Sequence, residues 1–169
     1  MKIKNSARLR TLTVTYGALI AALYVTLTYF SSMLGLSSGM IQIRLSEALT
    51  ILPALFSPTY AVGVIGGLYI GCLLANILTG CLLWDIIFGS LATLLGAIGT
   101  FLMRKHPKLT WIPPVLANVI IVPPILRYVY MLPDLYLFLV LGVLAGEVIS
   151  CGLLGYLLRR TIGARIKKI

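Results

Sequence analysis

Long uncharged apolar runs alternate with short polar breaks along the chain, and the lengths of those runs set the expected elements. A helix needs about 20 apolar residues to cross a bilayer core. Against that ruler the first run covers residues 11–35, and a shorter one covers 46–56 before Ser57-Pro58 stops it. Proline is poorly tolerated inside a helix and restricts the residue before it, so this second segment crosses only with help from its neighbours. A third run covers 60–79, and a fourth opens at Asp85 and ends before Arg104-Lys105-His106. A fifth starts near Pro113-Pro114 and is interrupted by Pro123-Pro124, and a sixth covers 135–158 with Pro133-Asp134 as its entry. The expectation is an all-α, single-domain chain (residues 1–169), an integral membrane bundle of six transmembrane helices.

Composition agrees with the pattern. The chain is 60% hydrophobic and 11% charged, with a mean hydropathy of +1.04, more apolar than a soluble surface allows. Its net charge of +10 comes from clusters at residues 2–10, 104–108 and 159–168, which are the edges of apolar runs. Such placement is a topology signal and not a nucleic-acid footprint. It puts both termini in the cytoplasm and is consistent with an even number of spans. The first run is as long as a full span, too long for a cleaved signal peptide. Cys72, Cys81 and Cys151 are scattered without metal-ligand or disulfide spacing.

Small residues mark the helix contacts. Gly17, Ala18, Ala21 and Ala22 form two small-xxx-small pairs, and Gly63, Gly67, Gly71 and Ala75 form a ladder at one step per turn. Both let backbones approach closely, within the bundle or against another protein. Gly142-x-x-x-Gly146 precedes Glu147, a carboxylate roughly halfway down a span that must be paired, protonated or ligand-facing.

The chemistry concentrates around Arg44 and Glu47, which stand between two long runs free of charged side chains. One reading is local, with Arg44 and Glu47 satisfying each other and Ser46 capping the next helix. The other turns both side chains toward a ligand. Asp85 likewise reads either as a helix-entry residue or as a ligand contact. The double proline frees backbone carbonyls, tolerated where they are buried or line a cavity. With both termini inside, Arg44, Glu47, Trp84, Asp85, Arg127, Tyr128, Tyr130 and Asp134 fall toward the outer side, joined by Asn76, Asn118 and Glu147 from within. The loop at residues 36–45 could cover such a pocket as a lid.

The run Ile41-Gln42-Ile43-Arg44-Leu45-Ser46-Glu47-Ala48-Leu49-Thr50, with Asp85-Ile86-Ile87-Phe88-Gly89-Ser90-Leu91-Ala92-Thr93-Leu94 and then Pro113-Pro114 and Asn118, resembles the QueT family. These are substrate-capturing S components of energy-coupling factor (ECF) transporters. The resemblance implies a six-helix pocket near the external ends, a loop over it after helix one, and a queuosine precursor or related deazaguanine as ligand. It also implies partners: a transmembrane coupling subunit, reached through an Ala-x-x-x-Ala pair that Ala18 and Ala22 match, and two ATPase subunits. The chain has no Walker A sequence of its own. A carboxylate can accept from the guanine-type N–H and amino edge, aromatic rings can stack, and a second carboxylate can pair with an ammonium. Glu47, Asp85 and Glu147 are the carboxylate candidates, with Glu47 ranked first; no cofactor or metal is expected. Where the family carries a carboxylate after the Asn-x-x-Ile-Val run, this chain reads Pro123-Pro124-Ile125-Leu126-Arg127. That exchange leaves the exact deazaguanine or other small heterocycle open. A lone histidine in a basic loop makes an enzyme a poor reading. A standalone proton-coupled secondary transporter, with Glu147 as its proton site, is the main alternative, and a purely structural membrane subunit is the third.

Overall fold

The computed structural model describes residues 2–36, 42–133 and 135–166, and the described residues form helices and their connections with no strand. Helix α1 spans Lys2–Met33, α2 Pro58–Leu78, α3 Leu83–Leu102 and α4 Ile112–Tyr128. The last rod is α5 (Tyr136–Glu147), a π-helical stretch Val148–Leu154 and α6 (Gly155–Ile166), run end to end. Between α1 and α2 lies a 3₁₀ helix, Leu45–Ala54. Among the described residues, four stretches are long and apolar enough to cross a membrane: Ala7–Met33, Pro58–Leu78, Leu83–Lys105 and Tyr136–Gly163. Leu45–Ala54 and Ile112–Tyr128 are shorter apolar helices. Half of the lid segment (37–41) and Asp134 lie outside the described residues.

Two of the expected elements differ in kind. The second segment is 3₁₀ and not α, which matters for reach: ten residues rise about 20 Å at 3₁₀ pitch against about 15 Å as an α-helix. Runs of 3₁₀ this long are uncommon, and here the neighbours hold it, with every residue from Ser46 to Pro53 buried. Its entry is pinned by α1. Thr28 donates to Ser46 Oγ at 2.7 Å, and Ser31 Oγ accepts from the Leu45 amide at 3.0 Å. Ser46 therefore makes no capping bond; Arg44 occupies the cap position, without a side-chain bond. The second difference is at Pro123-Pro124, where α4 continues to Tyr128 instead of breaking. Both prolines sit in its last two turns, where Val122, Pro123, Ile125 and Leu126 are buried against neighbouring elements.

Helix α1 packs along α2 with its glycines against the α2 ladder. A Cβ added to Gly67 would lie 2.2 Å from the Gly17 carbonyl oxygen, and one on Gly63 would lie 2.1 Å from that of Thr13. Successive contacts rise together, Thr13 with Gly63, Gly17 with Gly67 and Ala21 with Gly71, so the two helices run parallel. The 3₁₀ segment is the return crossing between them. Ile20, Tyr24, Leu49, Leu52, Val64, Leu68 and Cys72 close the core where the three elements meet.

Of the two adjacent small pairs in α1, Gly17 and Ala21 are thus used inside the molecule. Ala18 and Ala22 lie on the exposed face, beside Val14 and Leu19.

Candidate functional site

Polar side chains gather where the C-terminal ends of α1, α2 and α4 meet the N-terminal ends of the 3₁₀ helix and α3. Asp85, in the first turn of α3, is 5% exposed. Its Oδ2 accepts from the Tyr130 hydroxyl at 3.1 Å and lies 3.7 Å from Arg44 Nη2. Arg44 Nη1 is 3.5 Å from Asn76 Oδ1, and Asn76 Nδ2 donates to the Asp85 carbonyl at 3.4 Å. Tyr130 also accepts from the Leu82 amide at 3.2 Å. Burial, opposed by the Leu82 amide and reinforced by the Asp85 carboxylate, pushes the Tyr130 phenol up to about 12, so it remains a donor at physiological pH.

These residues line a cavity of about 270 Å³, together with Thr28, Ser32 and Gln42. Charge-assisted hydrogen bonds are ordinarily near 2.7–2.9 Å. The Arg44 contacts, at 3.5 and 3.7 Å, are loose by that standard. A guanidinium held this loosely exchanges partners at low cost.

Glu47 sits deeper and apart. It is 1% exposed; Oε1 accepts from the Tyr24 hydroxyl and from Thr93 at 3.1 Å, while Oε2 has no hydrogen-bond partner among the described residues. It lines neither this cavity nor the small one described next. The local Arg44–Glu47 ion pair expected from sequence is not formed: Arg44 turns to Asp85, and the only bond between the two is the Glu47 amide donating to the Arg44 carbonyl at 3.0 Å. The helix-entry reading of Asp85 also changes, since its side chain makes no cap and instead binds Arg44 and Tyr130.

Glu147 lines a second void of about 10 Å³ with Asn118, Val122 and Val143, room for roughly one water. Gln42 and Arg44 line both spaces and form the partition between them. The Gln42 backbone rests on Gly146, where a Cβ would lie 2.0 Å from its carbonyl oxygen. Below the partition, Cys151 donates to Glu147 Oε2 at 3.3 Å and to the Glu47 carbonyl at 3.4 Å. Donor atoms of Glu47, Glu147 and Cys151 all lie within 4.8 Å of one another, a buried group that could hold a proton or a cation. The π-helical stretch begins directly after Glu147, and such departures from α geometry recur at functional sites.

The remaining expected residues are not brought to this cluster. Trp84 is 55% exposed and stacked on Phe88 at 5.8 Å; one residue from Asp85, it is turned about 100° around α3 and faces outward. Tyr128 is 75% exposed, and Arg127 donates to the Leu132 carbonyl at 2.9 Å. It is Leu126 of that turn that reaches the cavity wall. Thr28, by contrast, lines the cavity, and Tyr24 and Thr93 hold the deeper Glu47, without having been singled out. A signal existed in Tyr24, Thr28 and Ser31, spaced i, i+4, i+7 on one face of an otherwise apolar helix.

The family model of the QueT transporter matches residues 14–164, spanning every element from α1 to α6. The chain belongs to the QueT transporter family. It is a multi-pass membrane protein with a transport role, and the buried polar cluster lies wholly within the stretch matched to the family. No curated protein and no solved structure matches the chain.

Proposed function

We propose that this chain is the substrate-capturing S component of an ATP-driven ECF uptake transporter and binds a queuosine precursor or related deazaguanine on the extracellular side. The observation that carries this reading is the loosely bonded Arg44–Asp85–Asn76 cluster on the wall of a 270 Å³ cavity. At about 270 Å³ the space lies just under the roughly 300–1,000 Å³ of sites for drug-sized ligands, a size in keeping with one small bicyclic base. A deazaguanine edge offers one carbonyl acceptor beside N–H and amino donors. Asp85 supplies the acceptors, Arg44 turns from Asp85 to the carbonyl, and Asn76 offers both kinds of group. Displacement of Gln42 and Arg44 would join the two spaces and bring Glu147 and Asn118 within reach of a substituent.

Charge supports this orientation. Arg159 donates to the Pro107 carbonyl, so α6 passes beside the basic 104–108 loop, and the positive-inside bias supports a cytoplasmic placement of that end. The cavity then faces out. Ala18 and Ala22, exposed on α1, offer the small-residue face for the coupling subunit, whose two ATPases supply the energy.

The test is copurification in mild detergent after coexpression with a coupling subunit and two ATPases, alongside calorimetric titration with a prequeuosine base. Complex formation with saturable binding supports the reading; binding without partners, together with uptake by the chain alone in vesicles under a proton gradient, replaces it. The buried Glu47–Glu147–Cys151 group favours that second reading, a proton-coupled secondary transporter, because intramembrane carboxylates serve as proton sites.

A further inference from the structure

At the basic end of the bundle a groove of about 620 Å³ opens, more than twice the volume of the cavity beside Asp85 and sharing no residue with it. Trp111, Tyr156, Leu153 and Gly152 line it on its apolar side, and Lys108 and Arg159 stand among its lining residues with no carboxylate. Arg159 is anchored by its bond to the Pro107 carbonyl, and Lys108 is exposed. Gly152 keeps the slot open. A Cβ there would meet only Val148 Cγ1 at 3.7 Å and Trp111 Cε3 at 3.9 Å, ordinary contact distances, so its missing side chain leaves space and relieves no clash.

An apolar slot with two cations matches one class of amphiphile: an acyl chain carrying an anionic headgroup. A small soluble anion has no use for the slot. A zwitterionic lipid brings an ammonium that the cations oppose, whereas basic pockets between membrane helices suit anionic headgroups. We infer that this groove is a binding site for an anionic phospholipid. The lipid would bridge the 107–111 loop and the terminal helix, bracing the end of the bundle opposite the polar cavity. The site is independent of the identity of the transported ligand.

Trp111 provides the readout. The chain has two tryptophans, and Trp84 lies at the other end of α3 from the basic loop, so Trp84→Phe leaves Trp111 as sole emitter. In phosphatidylcholine vesicles, phosphatidylglycerol with brominated acyl chains should quench Trp111 at a several-fold lower mole fraction than brominated phosphatidylcholine does. Each surface cation contributes about fivefold, so Lys108→Gln should cut the preference roughly fivefold. Gly152→Leu, which fills the slot, should bring phosphatidylglycerol quenching down to the phosphatidylcholine level. Equal quenching by the two lipids in the Trp84→Phe protein overturns the site, as does a preference that survives both further substitutions. Lys108 is exposed, so its substitution keeps the test decisive even where Gly152→Leu lowers the yield of folded protein.

Discussion

The α1–α2 seam and the polar end of the bundle are built from opposite materials. Along the seam, Gly17, Gly63 and Gly67 remove side chains so that two backbones touch; at the polar end, Arg44, Asn76, Asp85 and Tyr130 crowd hydrogen-bonding groups around a space they do not fill. In lipid, apolar side chains gain little by leaving one apolar surface for another, so close backbone packing supplies the adhesion. Buried polar groups are costly unless satisfied. The seam has no slack, while the polar end keeps long contacts around Arg44.

The largest effect should fall on the seam. Gly67→Leu forces side-chain atoms into the Gly17 backbone and should cost about 3 kcal/mol or more. Gly66→Leu, one residue away with nothing within 4 Å of its Cβ position, should change stability by no more than about 0.5 kcal/mol. Thermal unfolding in detergent separates the two, and equal melting shifts would break the contrast between seam and surface.

A double-mutant cycle sharpens the polar side. Coupling between Arg44 and Asp85, measured from unfolding of both single variants and the double variant, should reach about 1–2 kcal/mol, since removing one partner strands a buried charge. The same cycle on Arg44 and Glu47 should give less than about 0.5 kcal/mol, because no side-chain bond joins them. A larger Arg44–Glu47 value would restore the local ion pair.

Glu47→Gln tests which carboxylate meets the ligand. Glu47 accepts from Tyr24 and Thr93 and lines neither polar cavity. The change should therefore cost stability by about 1 kcal/mol and leave deazaguanine affinity within about threefold. A loss of tenfold or more by calorimetry would return Glu47 to the site.

The smallest effect on the isolated protein should come from Ala18→Leu with Ala22→Leu. Both positions are exposed, so the melting temperature and ligand affinity should stay put while copurification with a coexpressed ECF coupling subunit, the proposed partner, falls. Unchanged assembly would separate this face from partner docking.

The four long spans were legible because their signal is the length of an uncharged run, and the seam because glycine at one step per turn has few other uses. The 3₁₀ segment was not, since burial by neighbours overrides the α preference of Leu45–Ala54 and no local residue announces it. Nor was the continuity of α4, where tertiary packing outweighs two prolines. In the site, Arg44 and Asp85 were visible as isolated charges, but their pairing across 41 positions was not: proximity in sequence favoured Glu47. Trp84 and Tyr128 were drawn in by sequence proximity to the right turn, and only the helical phase shows that they face outward. Tyr24 and Thr93 went unread because neutral polar groups in apolar runs are commonly satisfied by the helix itself, as Thr26 is by the Ala22 carbonyl at 2.8 Å.

Calorimetric titration of the purified chain with a prequeuosine base, on the wild type and on Asp85→Asn, tests the central claim most directly. Asparagine keeps the shape but puts an amide donor where the carboxylate accepts. Charged hydrogen bonds are worth roughly 1.5–3 kcal/mol, so affinity should fall about ten- to a hundredfold while the variant stays folded. Wild-type affinity in folded Asp85→Asn, or no binding by the wild type, would contradict the assignment of the Arg44–Asn76–Asp85 cavity as the deazaguanine site.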